Sequence, residues 1–129
     1  MIAEDYVSFK VAKLLKEKGF DGICGTAYET ITNEHEVEQC SISEWGKLGQ
    51  VKRPTLQMAM KWLRDEEHYY LQVMLDGWAC GDHSGYYVVI QKTDSDFEMM
   101  LSDAVDEVFY QTYEEACEAG IKYCLENLI

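Results

Sequence analysis

Cys80 and His83 stand three residues apart in "CGDHSG", with Asp82 between them. A thiolate and an imidazole at that spacing can ligate one metal ion, and C-x-x-H supplies half of a structural zinc site. The other half has no counterpart. Cys24, Cys40 and His35 would have to come from the first part of the chain, and no second short pair repeats the spacing. A glycine-rich turn that holds both residues incidentally, with no metal and no cofactor, is the simpler reading. The same residue types also allow nucleophilic chemistry: Cys80 or Cys24 beside His83, His35 or His68 would make the Cys/His pair of a small enzyme. Such a pair needs contact in space and surroundings that lower the thiol pKa, and no cysteine here carries a local catalytic signature. Cys117 and Cys124 share one helical face and read as small buried hydrophobes. Acid pairs at Asp94/Asp96 and Asp103/Asp106 and the run Asp65 to Glu67 could meet a hard cation, but none follows the calcium-loop pattern. "GICG" and "GDHSG" lack the lysine and the strand-loop-helix context of a phosphate cradle.

Binding chemistry is better represented. The tyrosine pairs Tyr69/Tyr70 and Tyr86/Tyr87 open two apolar stretches of strand character, so one ring of each pair should face the core and one the solvent. Taking Tyr70 and Tyr86 as the outer rings, with Trp78 nearby, gives a face of large amphipathic contacts. Cross-strand packing inside the hairpin is the plainer alternative.

Charge adds a second clue. The formal net charge is −13, and all of it follows Arg64: residues 1–64 hold nine acids and nine bases, whereas residues 65–129 hold fifteen acids against Lys92 and Lys122. So acidic a surface repels phosphate backbones, and direct nucleic-acid binding is not expected. Asp103, Asp106 and Glu107 serve no evident helix cap, which points to a protein partner with a basic surface. Solubility alone is the competing explanation.

The elements that must position these residues are readable in part. With 129 residues, 47% of them hydrophobic, the chain is the size of one α+β domain over 1–129 with one core. No eighteen-residue apolar run can cross a bilayer, "MIAEDYVSFK" lacks the features of a secretory signal, and five cysteines cannot all pair. A cytoplasmic protein with free thiols is expected. Apolar spacing predicts a helix from Asp5 to a left-handed stop at Gly19, with Phe20 folding back onto it. "TAYETIT" and "VEQCSIS" read as strands, and "SEWGKLGQVKRP" as a mobile connection. Thr55 caps a second helix bearing Leu56, Ala59, Met60 and Leu63, which gives way to a turn at Asp65 to Glu67.

After His68 the period changes to two, with Tyr69, Leu71, Val73 and Leu75 on one face and "YYVVIQ" as the partner strand beyond "GDHSG". Gly77 is a candidate bulge. Thr93 to Glu107 holds either a short strand around Phe97 to Leu101 or a loop. Thr112 and Glu115 form a capping box for a last helix, whose face runs Cys117, Ile121, Cys124, Leu128 and whose Glu118 precedes Lys122 by the favourable four residues. The resulting order is α-β-β-α-β-β-(β)-α, three helices on an antiparallel sheet of four or five strands. Its second half has the element order of a double-stranded-RNA-binding domain, but only two bases for a job that needs many.

The blocks "SFKVAKLLKEKGF", "PTLQMAMKWLRDEEH" and "TYEEACEAGIKYCLENLI" resemble a family of small uncharacterised proteins of gut bacteria and their phages. The resemblance implies a common fold and a mobile-element origin, and brings no active-site residues. Together these readings favour a small acidic interaction module acting on a host protein. A small enzyme with a Cys/His site and a self-associating structural protein are the alternatives.

Overall fold

The computed structural model describes residues 5–22, 24–30, 37–41, 50–76, 85–101 and 109–129. Its first helix, α1 (Phe9–Glu17), begins at Ser8, whose Oγ accepts the Val11 N–H at 3.3 Å. Apolar spacing alone carries this helix back to Asp5, but the backbone there has other partners. The Val7 N–H donates to the Pro54 carbonyl at 3.1 Å, the Leu56 N–H to the Asp5 carbonyl at 2.9 Å, and Tyr6 bridges Thr55. Backbone engaged in an extended bridge cannot also wind into a helix. At the other end Gly19 takes φ +89° and the Phe20 N–H returns to the Leu15 carbonyl at 2.9 Å, the expected left-handed stop. Phe20 lies buried with its ring edge-on to Trp62, centroids 5.7 Å apart.

Helix α2 (Leu56–Glu66) is capped by Thr55, whose Oγ1 accepts the Met58 N–H at 3.1 Å. It buries Leu56, Ala59, Trp62 and Leu63 and leaves Met58 and Met60 half-buried. The helix holds through Asp65 and Glu66 and is stopped at His68, the one non-glycine at positive φ (+64°) among the described residues. That conformation costs a side-chain-bearing residue roughly 1–2 kcal/mol. It is held in place by the bond from the Thr93 N–H to the His68 carbonyl at 2.8 Å, which ties the turn to the sheet. The abrupt change of residue type after Arg64 thus marks a sharp reversal from helix to strand.

Among the described residues the strands form two antiparallel sheets of three, where the sequence suggests a single sheet of four or five. The first joins β1 (Thr26–Thr30), β2 (Val37–Ser41) and β3 (Gln50–Lys52) in the order β2-β1-β3. The second joins β4 (Tyr69–Asp76), β5 (Gly85–Lys92) and β6 (Glu98–Leu101) in the order β4-β5-β6. The short strand near Phe97 to Leu101 therefore exists. Strand β3 falls inside the stretch that reads as a connection: Val51 is buried opposite Tyr28, and Lys52 Nζ reaches the Gly22 carbonyl at 2.9 Å. Three residues are too few to register an alternating pattern, and neighbouring glycines and proline dominate the local signal.

Helix α3 (Tyr113–Tyr123) starts where Thr112 Oγ1 accepts the Glu115 N–H at 3.1 Å and runs into a π-helical turn, Cys124–Leu128. Ala116, Cys117, Gly120 and Ile121 are buried, and the wider turn brings in Cys124 and Leu125 while Leu128 stays half-buried. A uniform 3.6-residue period picks Leu128 instead, because it cannot anticipate the i→i+5 step closed by the Ile129 N–H on the Cys124 carbonyl at 3.0 Å. Glu118 does not serve Lys122: its Oε1 accepts the Ser8 N–H at 2.6 Å, tying α3 to the start of α1. One cluster of buried side chains runs through α1, β3, α2, β4, β5 and α3. The fold is α+β with three helices, and among the described residues no helix is long and apolar enough to cross a membrane.

Candidate functional site

The register of the second sheet decides which side chains are available for binding. Leu71 lies opposite Ile90, Val73 opposite Val88 and Leu75 opposite Tyr86, all on the face toward the helices. Tyr70 opposite Gln91, Gln72 opposite Val89 and Met74 opposite Tyr87 occupy the other face. Tyr70 therefore points outward as expected, half-buried. Tyr86 does not. It packs against the core with its ring edge on Tyr113 of α3 at 6.1 Å, and Tyr87 is the outward member, tilted against Phe109 at 5.8 Å. Adjacent tyrosines leave the parity of a strand open, and only pairing with β4 settles it. Trp78, Cys80, His83, Asp103, Asp106 and Glu107, and the expected bulge at Gly77, lie outside the described residues.

Thiol chemistry finds no support where the cysteines are described. Cys24, Cys117 and Cys124 are buried, and burial raises all three thiols: Cys24 with a partial offset from nearby Lys52, Cys117 to about 11 and Cys124 to about 12. A thiol held protonated is a poor nucleophile and a poor metal ligand. Among the described residues no three His, Cys, Asp or Glu side chains converge to hold a metal ion. The raised values carry a pH dependence. Between the ordinary cysteine value of 9.0 and the folded values of about 11 and 12, the unfolded chain has released protons that the folded chain keeps. The stability contributed is whole below about pH 9 and is lost as pH rises through the folded values. Denaturant midpoints measured from pH 8 to 11 should fall more steeply in the native protein than in a Cys117→Ala/Cys124→Ala variant, whatever the variant's lower baseline. Equal slopes would place these thiols in contact with solvent.

Strand β4 is an edge of its sheet, and its hydrogen-bonding parity follows from its ends. The bond from Thr93 to His68 makes that pair a hydrogen-bonded rung of the β4–β5 ladder. Rungs alternate, so Tyr70, Gln72 and Met74 direct their N–H and C=O groups at β5, whereas those of Leu71 and Val73 point away from the sheet. The opposite parity on the far side of β5, where Tyr86 exchanges both bonds with Tyr110 and the Lys92 N–H donates to the Phe97 carbonyl at 3.1 Å, agrees with this assignment. Among the described residues nothing pairs with the outward groups of β4.

A cleft of about 360 Å³ lies along this edge, between β4 from Tyr70 to Met74 and the outer side of α2, with Tyr113 of α3 contributing to the wall. Helix α2 supplies Gln57, Met60, Lys61 and Arg64. Gln57 Nε2 donates to Tyr113 Oη at 3.2 Å, joining α2 to α3 across the cleft. Among the described residues, Lys61 and Arg64 are the only charged side chains in the lining. Sequence reasoning finds Tyr70 here and misses Lys61, Arg64, Gln72 and Val73. The two bases are visible as an i, i+3 pair on the polar side of α2, but nothing local says that a free strand edge runs beside them. No protein-family model, curated protein or solved structure matches this chain.

Proposed function

We propose that this protein is an interaction module that takes up an extended segment of a protein partner as an additional strand on the outer edge of β4. The observation that carries this reading is the edge at Leu71 and Val73, unpaired among the described residues and opening into the α2 cleft. Natural sheets protect long edges with proline, lysine, bulges or a covering element, because an open row of N–H and C=O groups recruits another strand. From Tyr69 to Leu75 β4 has none of the first two and runs in unbroken register with β5. Alongside it the outer sheet face exposes Met74 (42%), apolar surface that a neighbouring strand would partly cover. Strand addition draws its affinity from main-chain bonds and its selectivity from pockets for alternate side chains, and the cleft supplies such a pocket. The net charge of −13 supports a partner with a basic surface around the inserted segment. A host protein as target accords with the resemblance to gut-bacterial and phage proteins.

Amide hydrogen exchange tests the reading with a panel of short, capped, valine- and threonine-rich peptides. In the free protein the Leu71 and Val73 amides should exchange fast while those of Gln72 and Met74 are slow. Saturation with a binding peptide should protect Leu71 and Val73, and N-methylation of alternate peptide residues should abolish that protection. Leu71 and Val73 amides already protected in the free protein, or left unprotected by every peptide, would overturn strand addition.

A further inference from the structure

We infer that the strand received by β4 carries an acidic side chain on its helix-facing side, where it meets Lys61 and Arg64, flanked on each side by an apolar or aromatic residue on the open face. This rests on the strand-addition reading above and specifies its occupant.

The argument starts from an anomaly of charge. The protein is strongly acidic, yet among the described residues the cleft beside the β4 edge is lined by two cations and no anion. Lys61 and Arg64 sit one helical turn apart, a spacing that puts both on one side of α2. Lys61 is exposed and has no ion-pair partner among the described residues. Arg64 touches Asp65 through Nε, at 3.2 Å and in an exposed pair, and among the described residues both terminal guanidinium nitrogens stay open to a carboxylate. The remaining polar lining, Gln57, Gln72, Tyr70 and Tyr113, can donate hydrogen bonds.

Strand geometry turns this into a pattern. A strand added beside β4 must alternate its side chains with the sheet. Those on the inner side enter the space between Leu71, Val73 and α2, and those on the outer side lie next to Tyr70, Gln72 and Met74. The His68 turn sends β4 back along α2, so Arg64 lies toward the Tyr70 end of the cleft and Gln57 toward the Met74 end. An internal glutamate or aspartate is thereby offered two cations, while its immediate neighbours rest on tyrosine and methionine. Acids more than about 8 Å from this point are largely screened at physiological ionic strength, and Asp65, which does lie beside Arg64, is solvent-exposed.

Fluorescence anisotropy with capped valine- and threonine-rich peptides, identical except for a central glutamate, glutamine or lysine, tests the inference. The glutamate peptide should bind the native protein about three- to tenfold more tightly than the glutamine peptide, with the advantage shrinking as salt is added. Lys61→Ala/Arg64→Ala should erase the advantage, and Lys61→Glu/Arg64→Glu should reverse it in favour of the lysine peptide. Both pairs of changes are on exposed helix positions and leave the core untouched. Equal affinity for the glutamate and glutamine peptides, with Leu71 and Val73 still protected on binding, would refute the acidic specificity and leave strand addition standing. Failure of every peptide to bind refutes both. An advantage that appears only with an uncapped chain end would assign the charge to a terminal carboxylate and overturn the internal side chain. A concentration-dependent dimer abolished by Val73→Pro would give the edge to a second copy of this chain and likewise overturn the inference.

Discussion

Replacing Ile121 by alanine is expected to lower the unfolding free energy by about 2–5 kcal/mol, with a matching drop in the denaturant midpoint. Ile121 is fully buried on α3, among the side chains that join all three helices to the second sheet. Removing its outer carbons loses their transfer free energy and leaves a cavity that close-packed neighbours can only partly fill. Glu114 is the control. It is exposed in the first turn of the same helix, where its charge favours the helix dipole, and Glu114→Ala should cost about 0.3–1 kcal/mol. Midpoints that bring the two variants together would mean that α3 does not bury this face.

Gly120→Val should also destabilise strongly, by about 1–3 kcal/mol or more, for the opposite reason. A Cβ at this position would stand 2.9 Å from both Leu71 Cδ2 and Val88 Cγ1. The leucine methyl can swing aside. Val88 cannot: it is fully buried on the central strand of its sheet, with a stiff β-branched side chain. Glycine is therefore what lets α3 approach the sheet. Elsewhere in a helix, glycine to alanine gains about 1 kcal/mol. Here Gly120→Ala should fail to give that gain, and Gly120→Val should be clearly worse than Gly120→Ala. A series in which stability rises from glycine to alanine and holds at valine would show that the helix stands further from the sheet.

Local chemistry made much of this molecule readable from its residues. Thr55 and Thr112 cap their helices through hydroxyl contacts three residues on, Gly19 supplies the left-handed stop, and the period-two run from Tyr69 forms a strand, because each depends on neighbours within a few positions. The start of α1 at Phe9, the bond from Glu118 to Ser8, the inward turn of Leu125 and the pairing of β3 were not readable, since each is imposed by a segment distant in sequence or by a helix that changes its winding. Tyr86 illustrates the boundary. Its presence in a strand is local, but its side of the sheet is set by facing Leu75, and a shift of one residue would have exchanged it with Tyr87.

The cleft follows the same division. Lys61 and Arg64 were visible as bases on the polar side of a helix, and Leu71 and Val73 as apolar strand residues. Only the tertiary structure placed β4 at the rim of its sheet with outward hydrogen-bonding groups beside those two cations. Edge position belongs to the whole sheet, because it depends on which strands pair and which do not, and no residue of β4 encodes the absence of a neighbour.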